Sequence, residues 1–191
     1  VNAACTAVNR AGGPFRWRPC VNSGPMDIVF YPDPVLQQRA EPVAEDRADL
    51  RDLTTAMLEA MSEASGVGLA APQVALGLRL FVASETGAVM DGLVFINPEI
   101  EPFGPVIEME EGCLSLPGMR ADIRRPEKVR VKWTDLDGER CEGEFDGLLA
   151  RIIQHEYDHL DGILFFERMQ PTDRLRVRDE LRAFEEQFVP R

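Results

Sequence analysis

The chain has 191 residues, 45% apolar and 28% charged, with a formal net charge of −12. That describes one soluble globular domain, large enough for a continuous core. The acid excess argues against a general binder of DNA or anionic membranes. No stretch supplies the roughly 20 uninterrupted apolar residues of a membrane helix, since the richest, Gly66 to Ala83, is broken by Pro72, Gln73 and Arg79.

Residues 1–25 mix Gly, Pro, Asn and Arg without apolar periodicity, and carry Arg10, Arg16 and Arg18 but no acid. They read as a disordered leader, either an upstream extension before Met26 or an organelle transit peptide. The cysteines at 5, 20, 113 and 141 have no close spacing, which fits a reducing compartment and not a disulfide framework. Ile28 to Tyr31 predicts a short strand, after which Pro32, Pro34 and Pro42 hold the chain extended. From Asp46 to about Ala64, residues Leu50, Leu53, Met57, Met61 and Ala64 fall on one helical face, ended by Ser65-Gly66. Leu78–Ala83 and Leu93–Ile96 read as strands, the second stopped by Asn97-Pro98, and Val106–Glu110 as another. Val129, Val131 and Trp133 alternate with charges, and Asp135-Leu136-Asp137-Gly138 turns the chain back as a hairpin through Arg140 to Phe145.

Leu148, Leu149, Ile152, Ile153 and Leu160 then recur at helical spacing, with Gly162 where a C-cap glycine belongs. Pro171-Thr172 opens a last helix with Thr172 as N-cap and an apolar face of Val177, Leu181, Phe184 and Phe188. These elements predict an α+β fold, mainly antiparallel β-sheets around a central helix with flanking N-terminal and C-terminal helices. The expected organisation is a leader at 1–25, a domain at 26–170 and a C-terminal helix at 171–191.

The central helix carries the chemistry. His155 and His159 are the only histidines in the chain. Four residues apart on a helix, they share a face and can close on one metal ion at about 2.0–2.1 Å each. Glu156, beside the first of them, is placed to take a proton from metal-bound water. The bland alternative is a pair of satisfied core histidines, but a pattern that uses both favours a metal. A third ligand is then needed. Glu167 and Asp173 lie downstream in no recognisable pattern, whereas Cys113 sits after a glycine in Glu110-Glu111-Gly112-Cys113-Leu114-Ser115. Alone it would read as a small buried hydrophobe; beside two histidines lacking a partner it reads as a ligand, leaving a fourth position for water. Gly66-Val67-Gly68-Leu69-Ala70-Ala71-Pro72-Gln73 is no phosphate loop. Its small residues suit close approach of an extended peptide, and Gln73 is either a donor to a developing oxyanion or an ordinary loop glutamine.

Together the three stretches resemble peptide deformylase, a family with the patterns G-x-G-L-A-A-x-Q, E-G-C-L-S and Q-H-E-x-D-H-L. All three occur here in that order, at Gly66–Gln73, Glu111–Ser115 and Gln154–Leu160. The likeness runs from about Met26 to Met169. It implies removal of the N-formyl group from the initiator methionine of new polypeptides, with formate released. Cys113, His155 and His159 would hold a divalent ion, Fe2+ first, with Zn2+, Ni2+ or Co2+ also able to occupy the site. Glu156 would be general base and then acid, and Gln73 and the Leu114 backbone N–H would meet the oxyanion. Val67, Gly68 and Ile152 would bind N-formylmethionyl peptides. The implied setting is bacterial cytoplasm, or an organelle stroma or matrix if the leader is a transit peptide. Arg174, Arg178 and Arg182 make a basic stripe on the last helix. It reads as a transient ribosome contact or as a solvated face with Arg182 paired to Glu186. A rival is a peptide-cleaving zinc protease; another is a metal- or ribosome-binding protein without catalysis.

Overall fold

A computed structural model describes residues 26–44 and 47–187; the leader, Cys5, Cys20, Asp46 and Phe188 lie outside them. Its elements are α1 (Leu50–Glu63), β1 (Gly68–Ala70), β2 (Leu80–Ala83), β3 (Leu93–Cys113), β4 (Leu116–Thr134), β5 (Arg140–Asp146), α2 (Gly147–Leu160), α3 (Pro171–Arg176) and α4 (Arg178–Gln187). The strands form one antiparallel sheet in the order β1-β2-β3-β4-β5. The fold is α+β, with α2 laid across the sheet.

Asn97-Pro98 does not stop a strand. β3 passes through it with a register shift between Ile96 and Glu99. Asn97 takes a positive φ of 49°, its backbone N–H donates to Arg79 O at 2.8 Å, and its side-chain amide holds the Val43 backbone. It accepts from Val43 N at 2.8 Å and donates to Val43 O at 2.9 Å. The proline therefore marks a bulge, and the expected strand at Val106–Glu110 is a later part of β3. Ile28–Tyr31 is extended but joins no sheet. Its backbone bonds to separate places, Val29 N to Gln73 O at 2.8 Å and Tyr31 N to Ser115 O at 2.9 Å, flanking the stretches singled out above. β2 begins at Leu80, two residues later than expected, while Leu78 makes an isolated bridge with Glu41.

α1 buries Thr54, Met57, Leu58, Ala60 and Met61, in a cluster with Leu69, Leu80, Val82 and Ile96. The expected last helix is two, broken at Val177, and Gln170 caps the first because Pro171 occupies its opening turn. Val177, Leu181 and Phe184 pack against a cluster containing Val29, Tyr31 and Phe166, and Tyr31 Oη donates to Glu185 at 2.7 Å.

α2 is buried on both sides. Ala150, Ile152, Ile153 and Leu160 meet Phe81, Phe95, Val129 and Val131 of the sheet. Its other side carries Arg151, Gln154, His155, Glu156, Asp158 and His159, all buried too. Polar groups out of water need partners, and those partners make the site. Gly162 ends the helix at φ 72°, where a Cβ would lie 2.8 Å from the Gln37 backbone, so only glycine lets the chain turn there.

Candidate active site

Cys113 is the last residue of β3, and Glu111, two residues earlier, points to the same buried side. The turn into β4 brings Cys113 Sγ to 3.3 Å from His159 Nε2. The His155 and His159 rings stand 5.1 Å apart, centre to centre. One donor atom from each of Cys113, His155 and His159 falls within 4.8 Å of the other two. Donors around one tetrahedral ion lie about 3.5 Å apart at ordinary bond lengths, so the set fits a single ion after a small closure. His155 Nδ1 is engaged at 2.9 Å by Glu111 Oε2, which leaves Nε2 for the ion and fixes the ring. His159 Nδ1 has no partner among the described residues. Glu167 accepts from Leu164 N and Asp173 pairs with Arg176, so neither downstream carboxylate joins the cluster.

Glu156 is buried, and its Oε2 has no hydrogen-bond partner among the described residues. The Gly68 backbone lies directly against it: a Cβ there would fall 2.3 Å from Glu156 Oε1. Gln73 is no loose loop residue. It is 1% exposed, accepts from Ala70 N at 2.8 Å, and points Nε2 at Ser115 Oγ (3.2 Å) and Cys113 Sγ (3.4 Å). Val67, Gly68, Gln73, Cys113, Leu114, Ile152, His155 and Glu156 line one cleft of about 610 Å³. His159 is fully buried behind them.

Burial pushes Glu156 up to about 7, because a carboxylate loses its hydration there. The same burial holds His159 well below the ordinary imidazole value. His155 goes the other way: burial opposes its charge, but Cys113 and Glu111 outweigh that and raise it to about 10. Glu111 is also desolvated, yet His155 and Arg125 hold its carboxyl well below the usual range.

A sequence profile described as polypeptide deformylase matches residues 25–175. The chain belongs to the peptide deformylase family. It is 48% identical over 162 residues to the peptide deformylase of Chlorobium phaeobacteroides (strain BS1), covering 83% of this chain and 88% of that one. Over 167 residues it is 40% identical to the Arabidopsis thaliana peptide deformylase 1B, chloroplastic/mitochondrial, covering 86% and 61%. The crystal structure of that plant enzyme with an inhibitor matches at a TM-score of 0.81 and 38% identity, over 86% of this chain and 96% of that one. The Synechococcus elongatus peptide deformylase with actinonin gives 0.78 and 38%, over 89% and 95%. As a peptide deformylase the chain is an enzyme, a metallohydrolase.

The candidate site holds residues that sequence reasoning passed over. Glu111 stood in the quoted motif without a role, although its spacing from Cys113 on a strand puts both on one face. Arg125 donates to Glu111 at 2.7 and 3.0 Å and to Asp158 at 2.7 Å. Arg151 donates to Glu111 at 3.0 Å and to Ile123 O at 2.9 Å. No spacing announces either arginine, because Arg125 meets Glu111 through the β3–β4 pairing while Asp158 and Arg151 arrive only where α2 crosses that hairpin.

Proposed function

We propose that this deformylase removes the N-formyl group from the initiator methionine of newly made polypeptides, releasing formate and a free amine. The observation that carries the reading is the unpartnered Oε2 of buried Glu156 beside the Cys113, His155 and His159 donors. A divalent ion held by those three would supply Lewis acidity, lowering the pKa of a water and drawing charge from the formyl oxygen. Ferrous iron is our first choice, with Zn2+, Ni2+ and Co2+ compatible with one thiolate and two imidazoles.

Glu156, desolvated by burial so that its carboxyl holds a proton more tightly than usual, is the group placed to move a proton. It takes one from the attacking water and returns it to the leaving nitrogen. Gln73 Nε2 and the Leu114 backbone N–H stabilise the charge that grows on the formyl oxygen; one such donor is typically worth about 2.7–4 kcal/mol. β1 is the edge strand of the sheet, and an extended peptide pairing there would lie between Val67-Gly68 and the Leu114 turn. Ile152, on the floor of the cleft, would contact the methionine side chain.

The reading sets the enzyme where formylated chains are made, in bacterial cytoplasm or an organelle stroma or matrix. Transient contact with ribosomal RNA through Arg174, Arg178 and Arg182 belongs to it as well. Those arginines line one open cleft with Tyr31 and Glu185, and the expected Arg182–Glu186 pair is not formed among the described residues. Ribosome binding that weakens steeply with salt would support that part. For the reaction, anaerobically purified protein is assayed for metal content and for formate released from formyl-Met-Ala, with a casein digest in parallel. Formate release without internal cleavage is expected. Internal cleavage without formate would replace the reading with a protease.

A further inference from the structure

The buried charges behind His155 continue to the surface. Glu111 Oε2 holds His155 Nδ1 at 2.9 Å. Arg125 grips both Glu111 oxygens through Nε and Nη2 and gives its remaining Nη1 to Asp158 Oδ2. Asp158 accepts in turn from Arg168, whose Nη2 lies 2.5 Å from Oδ1 and Nε 3.1 Å from Oδ2. The side chains of Glu111, Arg125 and Asp158 are 4%, 6% and 8% exposed, while that of Arg168 is 45% exposed. The chain of contacts therefore runs from a ligand candidate in the core to a guanidinium at the solvent boundary.

We propose that Arg168 is a positioning residue for His155, acting through Asp158, Arg125 and Glu111. This rests on the reading of His155 as a metal ligand. Glu111 takes Nε and Nη2 of Arg125 while Asp158 takes only Nη1, so Asp158 Oδ1 has Arg168 as its donor. Arg168 settles the division by occupying Asp158 Oδ1 and sharing Oδ2, which leaves two of Arg125's donors for Glu111. Without Arg168, Asp158 keeps a buried oxygen with no donor, a costly state. Arg125 is the cation already in contact with it. Arg125 then turns toward Asp158; Arg151 still holds Glu111 Oε1 at 3.0 Å, but Oε2, the oxygen that orients the imidazole, loses the Arg125 Nη2 donor and the ring its fixed direction. Partners behind metal ligands change metal affinity by about 10–100-fold when altered.

The test follows release of Zn2+ to a chromophoric chelator from wild type, Arg168→Gln, Arg168→Lys, Asp158→Asn and the Arg168→Gln/Asp158→Asn pair, with Tm recorded for each. Arg39→Gln controls for loss of one exposed charge, since Arg39 is 81% exposed and 3.7 Å from Asp161. Arg168→Gln should release Zn2+ about tenfold faster, with Arg168→Lys between it and wild type. The acceleration should vanish in the Asp158→Asn background, where no second charge pulls on Arg125. Release at the Arg39→Gln rate, or an acceleration undiminished by Asp158→Asn, overturns the proposal. Should Asp158→Asn not fold, the NMR resonance of the His155 Nδ1 proton in the Zn2+ protein decides: it moves in Arg168→Gln or the proposal fails. A wild-type chain that takes up no Zn2+ removes the ligand reading and this proposal together; normal uptake with unchanged release removes this proposal alone.

Discussion

Gly68 has to be glycine because Glu156 occupies the space a side chain would need, with Oε1 2.3 Å from where a Cβ would sit. Gly68→Ala pushes either the β1 backbone or the carboxylate aside. A shift of about 1 Å at a catalytic group can cost about 100-fold, so kcat for formyl-Met-Ala is expected to fall by that order, measured by steady-state formate release. Glu156→Gln keeps the shape and removes the proposed proton carrier. Formate release should fall by about 10²–10⁴-fold while each chain still holds one ion. Metal analysis of the sample used for kinetics checks both halves of that expectation.

Tyr31 ties the last helix to the body of the molecule through its bond to Glu185. Burial, and then the Glu185 carboxylate, push its phenol from 10.0 up to about 12. The folded chain therefore keeps that proton at a pH where the unfolded chain has lost it. The bond contributes fully below pH about 10 and is lost as pH rises toward about 12. Wild type should lose Tm more steeply than Tyr31→Phe across that window, read by melts at stepped alkaline pH. The pair joins residues 154 positions apart, and no local pattern marks such a contact. The legible elements were those with their own periodicity. α1 and α2 follow from apolar spacing and β5 from the Asp135–Gly138 turn, whereas Asn97-Pro98 looks like a stop but is a bulge whose backbone N–H still reaches Arg79 O. Ile28–Tyr31 departs from its strand-like pattern because its backbone bonds to the turn at Ser115 and to Gln73 in a short 3-10 helix instead of a sheet. Within the site, Cys113, His155 and His159 could be picked out by residue type and motif. Arg125 and Arg151 could not, because their partners are set by sheet register and by where α2 crosses it.

Across the whole molecule, the proposed ligands come from two elements, the end of β3 and the C-terminal half of α2, so an ion would bind the folded chain far better than the unfolded one. Removing it with a chelator should lower Tm, by an amount equivalent to about 2.7 kcal/mol if free metal had stood at 100 times Kd. Cys113→Ser should shrink that difference, as seen by calorimetry with and without chelator. The order of the ligands along the chain has a consequence for synthesis. The sulfur is made first, and the rings follow more than forty residues later. On the proposed ligand set, a newly translated copy cannot load its metal until His159 has cleared the exit tunnel and α2 has settled on the hairpin. Until then each molecule would lack the means to deformylate any chain, and the cell would depend on copies completed earlier.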